Sequence, residues 1–256
     1  MDLNLQQMQK YGTEMLKDIT EMCEKRNISY CAIYGTLLGT VRHNGPIPWD
    51  CDVDIYVPEN QLKTFLNAVK EEYCEKYWID YRDETTIPRA FPRIGLKGNE
   101  TEILHIDVFR MSGLPNGKLM QKVLTFCGRS LFVVWKAKTL DLKFYYPDLK
   151  RRIYATVIKT VTFPFSVNLI LKKIDRLCSK YEVMSTDFVG RMMGRRAIYP
   201  TECFADTILH PYADFMIRIP KGYDKLLTQM YGDYMEYPPK EEQDKYFSMT
   251  YHVREL

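Results

Sequence analysis

The chain has 256 residues, 46% of them hydrophobic and 27% charged, with 36 Lys and Arg against 33 Asp and Glu. These values exclude a disordered tail and a disulfide-stapled mini-protein, and they allow one large domain or two small ones. The seven cysteines form no Cys-x-x-Cys pair, which predicts free thiols. The amino-terminal run lacks a signal-peptide pattern, and Lys159 and Pro164 interrupt the most apolar stretch, 153–171. We therefore expect a cytoplasmic protein, peripheral at the inner membrane face if it touches a membrane.

Apolar residues that recur every three or four positions predict an opening helix from Leu5 to about Arg26. A short β-prone run follows, and then a turn that leads into a short helix. Further along the chain the pattern predicts a strand at 53–57, a helix at 61–75, and strands at 78–81, 93–96 and 103–109. This alternation favours an α+β fold, in which residues 1–116 form a catalytic core with a small mixed sheet flanked by helices.

A turn signal at 114–117 separates this core from a strongly basic segment. Residues 117–180 hold 14 Lys and Arg and three Asp, a local charge of +11, whereas the rest of the chain sums to −8. The pattern predicts that 117–256 is a helical region completing the same compact unit. Its basic residues are interpreted either as a solvated helix face or as a peripheral contact with an anionic membrane through 117–180. Trp135, Phe163 and Phe165 are the predicted apolar anchors of such a contact.

The densest chemical signal is a set of alternating carboxylates at the start of the predicted strand 53–57. Asp52 and Asp54 are expected to project from one strand face, and Asp50 continues the row if the strand begins that early. Carboxylates this close repel each other unless a cation neutralises them, and one or two Mg²⁺ ions, or Mn²⁺, would do so. An EF-hand calcium loop does not fit, because Ile55 and Gln61 stand where that loop requires Gly and Glu.

Residues on either side of this row are candidates for the rest of a site. Asp107 is polar within an apolar, β-prone run and is expected to be a third ligand or a base. Gly35 permits close approach of a ligand, and the start of the following helix favours a phosphate; Thr36 is also a plausible helix N-cap. Arg42 and Lys97 are candidate phosphate contacts. The predicted substrate-binding residues are Gly35, Thr36, Arg42, Trp49, Asp50 and Lys97.

The run GTLLGTVRHNGPIPWDCDVDI, residues 35–55, resembles the signature of the LicD/fukutin-type phosphotransferase family. It departs from that signature at Pro46, where an aromatic residue is usual, and at Cys51, where an aspartate is usual. The HIDVF run at 105–109 and the segment 219–239 are similar to later blocks of the family. The resemblance covers most of the chain and is least diagnostic over 117–200.

The resemblance implies a nucleotidyltransferase-type fold in which Asp52, Asp54 and Asp107 are both catalytic residues and metal ligands. It further implies a CDP-activated donor, most often CDP-choline, whose phosphocholine passes to a hydroxyl of a glycan or lipid-linked glycan. In bacterial members this acceptor is a precursor of a cell-surface polysaccharide, of which teichoic acid is one kind. Nucleic acid is not an expected partner.

Three other functions stay open at this point. The same fold can transfer a nucleotidyl group, with the remainder of the donor leaving as pyrophosphate. A DxD glycosyltransferase would use a metal-bound nucleotide-sugar, although residues 1–50 have no room for its usual βαβ region. A non-catalytic scaffold with a dead site is the third, and the intact carboxylates argue against it.

Overall fold

A mixed β-sheet flanked by helices forms the centre of the fold, as the α+β expectation required. The computed structural model describes residues 4–82, 88–98, 104–146, 148–190 and 198–244. The helices are α1 Leu5–Arg26, α2 Tyr34–His43, α3 Leu62–Tyr73, α4 Lys118–Thr139, α5 Leu142–Tyr145, α6 Leu149–Val161, α7 Val167–Cys178 and α8 Tyr223–Tyr231. The strands are β1 Cys31–Ala32, β2 Val53–Pro58, β3 Tyr77–Asp80, β4 Arg93–Leu96, β5 His105–Leu114, β6 Phe188–Gly190, β7 Ile198–Pro200, β8 Thr207–Tyr212 and β9 Phe215–Pro220.

The ten-residue strand β5 organises the sheet. Among the described strands the order is β1-β2-β5-β4-β3, and β6 joins β5 beyond the end of β4, with β7 beside it. The β2–β5 pair is parallel, whereas the other pairs are antiparallel. Strand β5 pairs with β4 near its start and with β6 near its end, and it also pairs with β2, the strand that follows the motif at 35–55. It therefore connects this motif to the carboxyl-terminal half.

Helix α1 confirms the amphipathic pattern of the opening segment. Asn4 caps its first turn in a reciprocal capping box with Gln7, and the helix ends where Asn27 adopts a left-handed conformation. Its apolar face is fully buried in the main core, through Met8, Met15, Leu16, Ile19, Met22 and Cys23. The burial of this face explains why a 22-residue helix with many charged residues forms here.

The carboxyl-terminal half departs from the purely helical expectation. Helices α4 to α7 confirm the helical prediction for 117–180, but β6 and β7 extend the main sheet and β8 pairs with β9 in a separate hairpin. Strands of three residues are too short to show a periodicity. The hairpin turn at Ala213 and Asp214 contains no glycine, and Ala213 adopts a positive φ of 52°. It therefore lacks the usual sequence signal of a tight turn. Ile103, the predicted start of β5, lies outside the described residues.

Ion pairs attach the helical layer to the sheet. Arg110 of β5 is buried, and its guanidinium donates to both carboxylate oxygens of Glu59 and, at 2.6 Å, to Asp175 of α7. Asp175 also accepts from Arg82. Asp175, one of the three acids in the basic segment 117–180, thus attaches α7 to the sheet. A buried guanidinium such as that of Arg110 must be paired with anions.

Trp135 was predicted as an exposed anchor, and this is wrong. The residue is buried, and its indole N–H donates to the carbonyl of Pro88 at 2.7 Å. The apolar stretch 153–171 is divided between α6 and α7 by a break at 162–166. Within the described ranges, no helix combines the length and hydropathy needed to cross a bilayer. All seven cysteines are described, and all are free thiols.

Candidate active site

The pairing of β2 with β5 places two of the predicted catalytic carboxylates side by side. Asp54 is the register partner of Asp107, and neighbouring strands lie about 4.8 Å apart. Asp52 precedes Asp54 by two residues, in the segment that leads into β2. The strand pairing therefore brings Asp107 beside Asp54, and we call Asp52, Asp54 and Asp107 the carboxylate cluster.

Asp107 is held by basic side chains from its own sheet. Nε of Arg93 donates to Oδ1 of Asp107 at 3.0 Å, and Nε2 of His105 lies 3.1 Å from the same oxygen. Arg93 is the register partner of Asp107 on β4. Sequence reasoning did not select Arg93, because the pairing of β4 with β5 is not readable from either strand alone.

The donor chemistry of this cluster fits a hard divalent cation, although the side chains do not form a closed cage. Carboxylate oxygens are the ligands that Mg²⁺ prefers, and it is usually bound by one or two carboxylates together with substrate phosphates. Asp107 is engaged by Arg93. Over the described part of the chain, no three His, Cys, Asp or Glu side chains converge as metal ligands. The arrangement thus suits a cation held by Asp52 and Asp54 and completed by a ligand, and Asp107 as a metal ligand stays a prediction.

Helix α2 fixes the position of Asp54 through Thr36, the second residue of the Gly-Thr pair at 35–36. Thr36 is buried, and its hydroxyl accepts the backbone N–H of Asp54 at 2.8 Å. The expectation that Thr36 caps the helix is wrong, because α2 begins at Tyr34 and Ile33 occupies the cap position. Tyr34 has a positive φ of 51°, a conformation that turns the chain sharply between β1 and α2. The structure therefore shows Thr36 positioning a carboxylate; a direct contact with substrate stays a prediction.

Gly35 lies close against the side chain of Asp50. A Cβ atom at residue 35 would lie 2.7 Å from Oδ2 of Asp50, so a side chain there would displace this carboxylate. Asp50 is buried, and its Oδ1 accepts the backbone N–H of Asp52 at 2.9 Å. Gln9 of α1 donates to the carbonyls of both Asp50 and Ile47. Asp50 thus orients the segment that leads into β2.

A cleft of about 510 Å³ opens beside this segment. One wall comes from the motif and the other from the segment after α8, nearly 200 residues later. Four of the six predicted substrate-binding residues line it, namely Gly35, Arg42, Trp49 and Asp50. Their facing residues are Tyr231, Asp233, Tyr234, Glu236, Tyr237, Pro238, Pro239 and Glu242. Burial, and then the charges of Asp54 and Asp50, raise the pKa of Tyr231.

Arg42 links the two walls of the cleft through hydrogen bonds. Its guanidinium donates to the carbonyls of Tyr234 at 2.9 Å and Glu236 at 3.2 Å. It also lies 5.0 Å from the ring centre of Tyr237 and 5.7 Å from that of Trp49, within cation–π range. Burial lowers the pKa of Arg42, which is consistent with its enclosed position. The observed role of Arg42 is therefore to hold the closing segment, and a contact with phosphate stays a prediction.

Lys97 does not line the cleft. It follows the end of β4, is exposed, and donates its backbone N–H to the carbonyl of Lys76. A second cavity, of about 480 Å³, lies at the opposite end of β2 and is lined by Tyr56, Phe204 and Arg218 among others. Its described lining includes none of the predicted site residues, whereas the cleft at the motif includes four of them, so that cleft is the better candidate active site.

Comparison with known proteins identifies similarity to one family. Residues 27–150 match the model of the LicD/FKTN/FKRP nucleotidyltransferase domain, a range that contains α2, the carboxylate cluster and Arg93. The chain is 25% identical over 255 residues to the lipopolysaccharide cholinephosphotransferase LicD of Haemophilus influenzae, covering 94% of this chain and 95% of that protein. That similarity includes the segment which forms the second wall of the cleft.

Two shorter similarities involve proteins of Rickettsia. An uncharacterized protein of Rickettsia prowazekii and one of Rickettsia typhi are each 52% identical to this chain over 42 residues. These matches cover 16% of this chain and 16% and 14% of the two proteins. They show a local block of high similarity and carry no information about activity.

The close approach of Gly39 to Gly45 allows a test of how α2 is positioned. A Cβ atom at residue 39 would lie 2.5 Å from the carbonyl oxygen of Gly45, a backbone atom that cannot move alone. We expect Gly39→Ala to reduce the free energy of unfolding by about 1–3 kcal/mol, as for other overpacked sites. The matched control is Gly45→Ala, whose added atom would make only contacts of 4.0 Å. Urea denaturation of both variants measures the difference, and equal stabilities would show that α2 does not depend on this close approach.

Proposed function

Because residues 27–150 form a nucleotidyltransferase domain of the LicD/FKTN/FKRP type, we propose that the protein is a metal-dependent phosphocholine transferase. Its donor would be CDP-choline, and its acceptor a hydroxyl of a cell-surface glycan precursor. The observation that carries the proposal is the pairing of Asp54 with Asp107, together with a cleft of ligand size whose lining includes Asp50, the residue that accepts the backbone N–H of Asp52. The similarity to a cholinephosphotransferase along nearly the whole chain supports the choice of transferred group.

The composition of the cleft suits a quaternary ammonium group. Trp49, Tyr231 and Tyr237 supply aromatic rings, which attract such cations through their π faces. Four acidic residues add negative charge to the lining, namely Asp50, Asp233, Glu236 and Glu242. Arg42 already lies over the rings of Trp49 and Tyr237. We therefore assign to Arg42 the structural task of holding these rings and to Tyr231 a direct contact with choline.

The proposed reaction is an in-line displacement at the phosphorus of phosphocholine. The acceptor hydroxyl oxygen forms the new bond to this phosphorus, the bond to the bridging oxygen of the donor breaks, and CMP leaves. The hydroxyl proton passes to a carboxylate oxygen of the cluster. Asp52 and Asp54 would hold Mg²⁺, which supplies charge neutralisation for the donor phosphates and for the entering and leaving oxygens. Thr36 and Asp50 keep these two carboxylates in place through backbone hydrogen bonds.

Arg93 is the cation that this geometry adds to the sequence-based candidates. It contacts Asp107, which stands beside Asp54, so its guanidinium lies next to the proposed reaction centre. A guanidinium can bind a carboxylate and a phosphate oxygen at the same time through separate N–H groups. We propose that Arg93 both neutralises Asp107 and binds a donor phosphate.

A donor screen tests the proposed reaction against the alternatives. Protein is incubated with glycan acceptors and with CDP-choline, CDP-ribitol, CDP-glycerol, nucleoside triphosphates or UDP-sugars, in Mg²⁺ or EDTA, and products are identified by mass spectrometry. We expect Mg²⁺-dependent release of CMP and addition of phosphocholine to the acceptor. Addition of a nucleotidyl group or a sugar would replace this proposal with the corresponding alternative. Turnover that is unchanged in EDTA would remove the metal from it.

Removal of one charge from the metal-binding pair provides a second test. We expect Asp52→Asn and Asp54→Asn each to lower kcat at least about a hundredfold, because the metal stabilises the transition state by several kcal/mol. The melting temperature of the metal-free protein should hold or rise, since the substitution reduces repulsion within the cluster. Loss of folding by circular dichroism would make the variant uninformative for catalysis, so the two measurements are made together. Near-normal turnover by a folded variant would refute the assignment.

Two basic residues near β4, Arg93 and Lys97, are the alternative candidates for the contact with a donor phosphate. We expect Arg93→Ala to lower kcat/KM by about tenfold to a hundredfold, because a charge-assisted hydrogen bond contributes roughly 1.5–3 kcal/mol. Lys97→Ala is the matched control and should change kcat/KM by less than about twofold, given its exposed position beyond β4. Steady-state kinetics with CDP-choline measures both. A larger effect at Lys97 than at Arg93 would reverse this assignment.

A further inference from the structure

Helix α6 presents its apolar residues to the outside of the molecule. Leu149, Ile153, Val157 and Val161 recur every four residues and are all exposed, so they form one apolar row along the helix. Of the thirteen residues of α6, Ala155 is the buried one. A surface helix of a globular protein normally turns such a row toward the core. The row on α6 therefore needs a partner outside the described chain.

The apolar surface continues past the end of the helix. Phe163, which is 81% exposed, and Phe165, which is 49% exposed, follow in the break between α6 and α7. These values confirm both residues as the exposed aromatics that the sequence predicted. We call the set Leu149, Ile153, Val157, Val161, Phe163 and Phe165 the α6 face. Isolated exposed apolar residues are common, but a contiguous set of this kind marks an interaction surface.

A groove between α4 and α7 adjoins this surface. Nζ of Lys173 lies 5.9 Å from the ring centre of Phe165, and Lys173 also lines the groove. The groove has a volume of about 540 Å³ and an apolar floor that includes Phe126, Leu131 and Leu177. Two further cations, Arg176 and Lys180, stand at its edge. Apolar surface next to clustered cations suits a molecule that is apolar in its interior and anionic at its surface.

The basic residues of the chain are concentrated in the segment that contains this surface. The segment 117–180, which contains α4, α6 and α7, carries +11, whereas the remaining residues sum to −8. Lys150, Arg151 and Lys159 lie on α6 itself and are exposed. We propose that the α6 face docks onto an anionic lipid surface, with its apolar row and two phenylalanines at the level of the headgroups and the cations paired with lipid phosphates.

A second copy of the chain fits this face less well. Cores of protein interfaces are depleted in lysine, and a symmetric dimer would bring two strongly positive surfaces together. An anionic membrane meets both requirements at once, since it accepts apolar side chains and attracts basic ones. The inference stands independently of the proposed reaction, because none of its residues belongs to the carboxylate cluster or the motif cleft.

Vesicle co-sedimentation of the full chain tests the proposal. The probes are vesicles of phosphatidylcholine alone and of phosphatidylcholine with 30% phosphatidylglycerol, taken as roughly the anionic content at which surface charge attracts basic residues. We expect binding to the anionic vesicles at low salt and little binding to the neutral ones. Binding should weaken as salt is raised, because the Debye length falls from about 30 Å at 0.01 M to about 10 Å at 0.1 M.

Two variants of the α6 face identify the surface that binds. Ile153→Ser with Val157→Ser removes part of the apolar row, and Lys150→Glu with Arg151→Glu reverses two charges. Each pair should lower the partition coefficient by at least about tenfold, since each variant changes two of the basic or apolar side chains that would contact the lipid. The matched controls are Leu209→Ser with Met216→Ser on the β8–β9 hairpin and Lys10→Glu with Lys63→Glu on α1 and α3. All four control residues are exposed and lie outside 117–180.

Retained binding in both control pairs and weakened binding in both α6 variants would support the proposal. Binding that is indifferent to lipid charge, or equal losses in variants and controls, would overturn it. Light scattering completes the test. A wild-type dimer that the α6 variants convert to a monomer, without vesicle binding in either, would assign the face to a contact between copies and would also overturn the proposal.

Discussion

The parallel pairing of β2 with β5 is the constraint on which the candidate site depends. It sets Asp54 beside Asp107 at a single strand spacing. Carboxylates on neighbouring strands in this register are close enough to repel each other. Arg93 places a positive charge beside Asp107, and the hydrogen bond from the backbone N–H of Asp54 to Thr36 fixes the strand position. The cation proposed at Asp52 and Asp54 would reduce the remaining repulsion.

Distant segments complete the site through a few polar contacts. Arg42 binds the carbonyls of Tyr234 and Glu236 and so attaches the end of the described chain to the motif. At the other end of the sheet, Arg110 attaches α7 through Asp175. Helix α2, which carries Arg42, contacts β2 through Thr36 and Asp54, and α7 contacts β5 through Asp175 and Arg110, so the cleft and the helical layer both contact this strand pair. This shared frame would fix the orientation of the cleft relative to a membrane contacted by α6.

Local patterns in the sequence were sufficient for part of this result and insufficient for the rest. The periodicity of α1 and the alternation around Asp54 predicted an amphipathic helix and a carboxylate row, because burial on one face imposes both patterns. The contacts of Arg93 and Arg42 depend on strand order and on a pairing across nearly 200 residues, which no local window contains. Trp135 was misplaced for a related reason: an aromatic residue in a basic helix fits a buried or a membrane-facing position equally well until its neighbours are known.

Hydrogen exchange of the wild-type chain, with and without CDP-choline in Mg²⁺ buffer, tests the location of the active site most directly. Slower amide exchange is expected in two separate segments, 34–50 and 231–239, which form the opposite walls of the cleft. Exchange near Tyr56, Phe204 and Arg218, which line the cavity at the other end of β2, should stay unchanged. Protection confined to that second cavity, with none in the motif or the closing segment, would contradict the assignment of the site.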